Sequence, residues 1–128
     1  MNKRGEKVQD YVSECSIVAS DLFAAGEYQK AKLIYEQNLQ ILQQTFGMDS
    51  PQLSMTLGDL GEVYAALHDY EQAEAYFRQA ITLREQASGI GHRLGYNIYR
   101  GYEQLLRKLG RDDEANQIKA RTKPNKRS

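Results

Sequence analysis

Apolar residues recur along the chain at helical spacing. Val8, Tyr11, Val12, Cys15 and Val18 open the pattern, with offsets that place them along one side of a helix. Tyr28, Ala31 and Tyr35 continue it, then Leu57, Leu60 and Tyr64, then Tyr70, Ala73, Phe77 and Ala80. Leu, Ala, Glu, Gln and Arg dominate the body, and neither β-branched runs nor alternating stretches occur, so helix is the regular element this chain supports. The pattern predicts an all-α chain. Its helices fall at about Glu6–Ala24, Tyr28–Phe46, Pro51–Leu67, Tyr70–Ala87, Arg93–Leu109 and Asp112–Ala120, forming three antiparallel pairs.

One helical phrase is written three times. GEYQKAKLIYEQNL, from Gly26, returns as HDYEQAEAYFRQAI from His68 and, fainter, as GRDDEANQIKARTK from Gly110, at a constant offset of 42 residues. Gly26 and Gly110 stand where a helix C-terminus favours the left-handed conformation, and His68 holds the equivalent place in the middle copy. Between the first two pairs, FGMDSPQL supplies Gly47 as a stop, Asp49 or Ser50 as an N-cap, and Pro51 at a first helical position, where its missing N–H costs nothing. The second linker, ASGIGHRL, keeps Gly89 in the place of Gly47. It has Gly91, His92 and Arg93 where the first has Asp49, Ser50 and Pro51, which predicts a looser restart.

The middle copy carries Leu57, Leu60, Gly61, Tyr64, Tyr70, Ala73, Phe77 and Ala80 in an order that resembles a tetratricopeptide repeat. Displaced by 42, these positions hold Cys15, Val18, Ala19, Leu22, Tyr28, Ala31, Tyr35 and Asn38 in the first copy. In the third they hold Tyr99, Tyr102, Glu103, Leu106, Asp112, Ala115, Lys119 and Thr122. The unit is longer than the common form of about 34 residues. With Gly47, Asp49 and Pro51 in its linker and LGDLGEVY on a first helix, it is similar to the kinesin light chain subclass.

The resemblance covers roughly Val8 to Arg121. It implies an α-solenoid of three helix pairs wound as a right-handed superhelix, with repeats at about 8–49, 50–91 and 92–121. A basic tail over 1–7 and a basic disordered tail over 122–128 would flank this domain. Glu103, Asp112 and Lys119 depart from the family pattern in the third copy. There DDEANQIKAR offers apolar contact chiefly through Ala115 and Ile118, as a short polar helix capping a stacked array would.

In such a solenoid the first helix of each pair lines the concave side, so the resemblance implies a non-catalytic interaction module or adaptor whose groove binds a peptide or a partner helix. The positions it indicates are Ser13, Ser16, Ser20 and Ala24, then Met55, Asp59, Glu62 and Ala66, then Asn97, Arg100, Gln104, Arg107 and Lys108. Asp59 and Glu62 make an acidic centre facing a basic wall of Arg100, Arg107 and Lys108. That suits a ligand bearing both signs, unless Asp59 and Arg100 simply pair with each other. Gly101 also maps to the groove side, whereas Tyr99 and Tyr102 occupy core positions. Nothing similar precedes the first helix to cover its apolar residues, so the alternative role is assembly of an oligomer through exposed apolar ends of the stack.

Charge and composition narrow the choice. Net charge is zero, but the two ends carry +7, while Val8 to Ile118 holds nine basic and 16 acidic residues, a balance of −7. The body therefore lacks the basic footprint that nucleic acid requires. No apolar run approaches the roughly 18 residues of a membrane span, and MNKRGEKVQD has no apolar segment behind its charges, so the cytoplasm is the expected compartment. His68 and His92 are far apart, and no His-x-x-x-His, Cys-x-x-Cys or glycine-rich phosphate loop occurs, so neither metal nor cofactor nor catalysis is expected. The single cysteine, Cys15, reads as a small buried hydrophobe.

Overall fold

Each helix pair closes on the same turn. In the computed structural model, which describes residues 3–88 and 96–122, Gly26, His68 and Gly110 have φ of +82°, +66° and +78°. The amide of Glu27 donates to the Leu22 carbonyl at 2.8 Å and that of Gly26 to Phe23 at 3.0 Å. Asp69 and His68 repeat this on Tyr64 and Ala65, and Arg111 and Gly110 on Leu106 and Arg107. This is the Schellman arrangement, which satisfies carbonyls that a helix end leaves open. Glycine enters the left-handed region freely. His68 enters it at a cost, and its ring accepts or donates a hydrogen bond with the Tyr70 hydroxyl at 2.7 Å.

These turns join α1 (Lys3–Ala24) to α2 (Tyr28–Phe46), α3 (Ser54–Ala66) to α4 (Tyr70–Ser88), and α5 (Tyr96–Lys108) to α6 (Asp112–Arg121). The three hairpins stack as an α-solenoid. α1 starts three residues earlier than its pattern suggested, so the segment read as a basic tail over 1–7 is helix from Lys3 onward, with Gly5 buried. Pro51 opens a single 3-10 turn, Pro51–Leu53, ahead of α3 rather than the α-helix itself. Of the two N-cap candidates, Ser50 serves: its side chain accepts from the Gln52 amide at 3.3 Å. The second linker, including Gly89, Gly91, His92 and Arg93, lies outside the described residues, as does the C-terminal tail beyond Thr122.

Small residues decide how closely the pairs approach. Ala19, Ala31, Tyr35, Leu60 and Val63 form the buried cluster between the first two hairpins. Within the second hairpin a methyl group at Gly61 would fall 2.9 Å from three carbons of the Phe77 ring, and one at Gly101 of the third would fall 2.9 Å from the ring's Cε1. The ring thus fills space left by one glycine on α3 and one on α5, and it stacks on Tyr102 with centroids 5.8 Å apart. Gly101, mapped from sequence to the groove side, makes room for Phe77. At Gly58 the same holds for Ile98, whose Cγ1 lies 2.9 Å from where a Cβ would be.

The last helix is tied on by charge as well as by Ala115 and Ile118, which are buried. Arg111 donates to Glu74 at 2.9 and 2.8 Å and to Glu114 at 2.8 and 2.7 Å. Arg121 pairs with Glu85. Glu74 also accepts from the Tyr102 hydroxyl at 2.5 Å, and Glu85 from that of Tyr99 at 2.6 Å. Asp112 and Lys119, which replace the aromatics of the earlier copies, are exposed. The outer helix is polar, as a terminal cap must be.

Candidate functional site

The three first helices are not evenly spaced. α3 and α5 meet closely through Gly58 and Gly101, whereas α1 packs on α2 and stands off from α3. The gap between α1 and α3 is a cavity of about 590 Å³. Gln9, Val12, Ser13 and Ser16 of α1 form one wall, and Met55, Thr56 and Asp59 of α3 the other. Leu42, Pro51, Gln52, Arg84 and Ala87 complete the lining.

Four of the positions indicated by sequence, Ser13, Ser16, Met55 and Asp59, therefore share one cavity. Glu62 follows Asp59 on the same face of α3, and a methyl at Gly101 would fall 3.5 Å from its Oε2. Ser20, Asn97, Arg100 and Gln104 are exposed and line no part of the cavity. The basic wall is largely spoken for. Arg107 pairs with Glu103 at 3.0 Å and donates to Asn116 of α6 at 2.9 Å, and the Lys108 ammonium lies 5.6 Å from the centre of the Tyr70 ring. Asp59 and Arg100 form no ion pair with each other, and neither Asp59 nor Glu62 has a basic partner within 4.0 Å among the described residues.

Desolvation dominates the electrostatics. Burial, and then the neighbouring Glu62 carboxylate, push the Asp59 carboxyl up to about 7. Burial raises Glu62 as well. Tyr35 of α2 rises chiefly through its own burial, with both carboxylates adding to it. Asp59 is half-buried and Glu62 exposed, and two acids one helical turn apart with no basic partner within 4.0 Å among the described residues favour a positive group that reaches them.

Three contributors were not singled out by sequence. Asn38 takes a position that is Ala80 in the next copy; it is buried and donates to Ser16 Oγ at 3.2 Å and the Val12 carbonyl at 3.4 Å, fixing the α1 wall. Arg84, on a second helix, donates to Ser54 Oγ at 2.8 Å, while its buried Nε has no partner among the described residues. Thr56 is buried beside the cavity. Family positions on first helices do not point to Arg84, and Asn38 shows only as a polar residue where the repeat wants a small one.

A stack of helical hairpins with a polar cavity between first helices is an α-solenoid of the kind that holds other chains. The tetratricopeptide repeat pattern matches residues 14–86 and again 60–123, and the chain belongs to that family. No curated protein matches it. Among the described residues no helix is long and apolar enough to cross a membrane, and no group of three His, Cys, Asp or Glu side chains is placed to hold a metal ion.

Proposed function

We propose that this chain is a protein interaction module that binds a peptide or partner helix between its first helices, at the cavity where Ser13, Ser16, Met55 and Asp59 converge. The observation that carries this reading is the Asp59 carboxylate, which lines a cavity large enough for several side chains and has no basic partner within 4.0 Å among the described residues, with the exposed Glu62 carboxylate one turn beyond it. A polar side chain in a repeat core usually finds a partner within the fold; here the partner is left for another molecule. The constant 42-residue step of Gly26, His68 and Gly110, with Gly47, Asp49 and Pro51 in the linker, supports placing the repeat in the kinesin-light-chain-like subclass. Affinity capture from native lysate tests the reading, with wild type beside Ser13→Arg and Met55→Arg, which fill the cavity from opposite walls. Loss of the same captured proteins in both folded variants supports it, and full retention overturns it.

A second reading rests on α1, where Tyr11, Ile17 and Val18 are 55%, 64% and 52% exposed. These residues supply an apolar face for a second copy or another repeat array. Sedimentation across a hundredfold range of concentration decides it: a strict monomer rules out assembly of copies.

A further inference from the structure

The first helix carries charge that the fold leaves unpaired. Lys3, Arg4 and Lys7 stand at its start and Glu14 and Asp21 further along, and from Tyr11 to Ala24 it holds no basic residue. None of these five forms an ion pair among the described residues, whereas Arg107, Arg111 and Arg121 of the third hairpin are all paired. Between the two ends lies an exposed apolar edge. Tyr11 and Val18, seven residues apart, share one side of α1, with Val8, Cys15 and Leu22 half-buried beside them. At the basic end, Lys3, Arg4, Lys7, Val8 and Tyr11 line a pocket of about 430 Å³. At the acidic end, Val18 is exposed one turn before Asp21.

This edge is complementary to itself. Tyr11 and Val18 are equally far from the midpoint between Glu14 and Cys15, Lys7 and Asp21 are equally far from Glu14, and Val8 and Leu22 from Cys15. With antiparallel helices, one two-fold axis at that level sets Tyr11 against the partner's Val18 and Lys7 against the partner's Asp21, each contact made twice. Parallel helices would oppose Lys7 to Lys7 and Asp21 to Asp21. Head-to-tail stacking would lay the apolar edge on α6, which exposes Asp112, Asp113, Asn116 and Lys119. Resting on the assembly reading above, we infer that two copies of this chain pair through α1, antiparallel about a two-fold axis beside Cys15. The partner's Val18 enters the pocket beside Tyr11, and the partner's Asp21 meets Lys7 and Arg4 at its rim. Charge complementarity selects a second copy, since a uniformly acidic partner would meet Glu14 and Asp21 and a uniformly basic one Lys3, Arg4 and Lys7. Glu14 faces the partner's Glu14 beside the axis, one repulsion against two attractions. Gln9, Ser13 and Ser16 lie on the other side of α1, so the cavity against α3 stays open.

Sedimentation over a hundredfold range of concentration, together with a short bismaleimide cross-linker, tests the pairing on the full chain. Cys15 is the single cysteine, so a covalent dimer reports this one position. Wild type should form dimers that the reagent traps, and Tyr11→Glu should show neither. Lys7→Glu and Asp21→Lys should each weaken the dimer about tenfold, since each sets like charges opposite one another twice, while Glu14→Gln strengthens it. Mixing the Lys7→Glu chain with the Asp21→Lys chain should restore dimers, because every pair then joins opposite charges. A merely structural role of either residue would give no such rescue. Circular dichroism melts check that these exposed replacements leave the fold intact. A dimer indifferent to both charge replacements overturns the α1 pairing and leaves the assembly reading standing, whereas a strict monomer overturns both.

Discussion

Arg111, at the third hairpin turn, holds both carboxylate oxygens of Glu74, 37 residues earlier, at 2.9 and 2.8 Å. The Arg111 hydrogen bonds outweigh burial and, with the Tyr102 hydroxyl, hold the Glu74 carboxyl down at about 2 against an ordinary 4.5. A depressed folded-state value means stability that is complete above about 4.5 and is lost as pH falls through about 2. Urea unfolding between pH 5 and pH 2 should therefore show a loss on the order of 2 kcal/mol that Glu74→Gln removes, and with it the attachment of α6. An unchanged acid limb in Glu74→Gln means another carboxylate controls the transition.

Asp59 runs the other way. Its carboxyl, raised to about 7 from an ordinary 3.8, ionises later in the folded chain than in the unfolded one. The charged groups near it are Glu62 on the same helix and Arg84 of α4, which lines the same cavity; Tyr35 of α2 is neutral, and α1 lines the cavity with the uncharged Gln9, Val12, Ser13 and Ser16. Its contribution to stability is greatest below about 3.8 and falls as pH rises to about 7. Asp59→Asn should match wild type near pH 4 and exceed it by on the order of 2 kcal/mol at pH 8. Chemical denaturation of both proteins at the two pH values checks the difference.

Two glycine replacements separate packing from backbone conformation. Gly26 has nothing within 4 Å of a new Cβ, so Gly26→Ala meets only the left-handed backbone and should cost about 1 kcal/mol. Gly61 is helical, and Ala there gains up to about 1 kcal/mol of propensity but drives a methyl into Phe77, a strain of about 1–3 kcal/mol. Thermal melts should show Gly61→Ala as the variant whose loss is partly restored by Phe77→Leu, whereas Phe77→Leu adds its own cost to Gly26→Ala.

His68 is the one non-glycine residue with positive φ among the described residues. His68→Gly relieves that strain and forfeits an exposed hydrogen bond to Tyr70, so it should raise stability by about 0.5 kcal/mol, with no change in the helical circular dichroism. A drop in stability would show that the ring contact with Tyr70 matters more than the turn.

Helix pairs and turns were legible because their signals are local. Gly26 and Gly110 mark a left-handed position by their own chemistry, and Tyr70, Ala73, Phe77 and Ala80 mark a packing face by spacing alone. Partners distant in sequence leave no such trace. Nothing in the order of residues shows that Arg111 reaches Glu74, that Lys108 turns to Tyr70, or that Gly101 serves Phe77 rather than the groove. The lining of the cavity was half legible for the same reason. Ser13, Ser16, Met55 and Asp59 are positions that the repeat resemblance indicates, while Arg84 enters from a second helix through its bond to Ser54, a tertiary contact that no periodicity contains.

The unequal spacing of the first helices gives the molecule a fixed jaw and a separate one. Where Ile98 sits against Gly58 and Phe77 fills the space between Gly61 and Gly101, α3 and α5 are keyed together and offer one wall of set shape. α1 faces that wall across the open cavity, anchored to the rest by α2 and by Asn38. On the groove reading proposed above, a guest of a different width would be accommodated at the Asn38 contact with Val12 and Ser16, and substitutions there should change which guests are held while leaving Asp59 untouched.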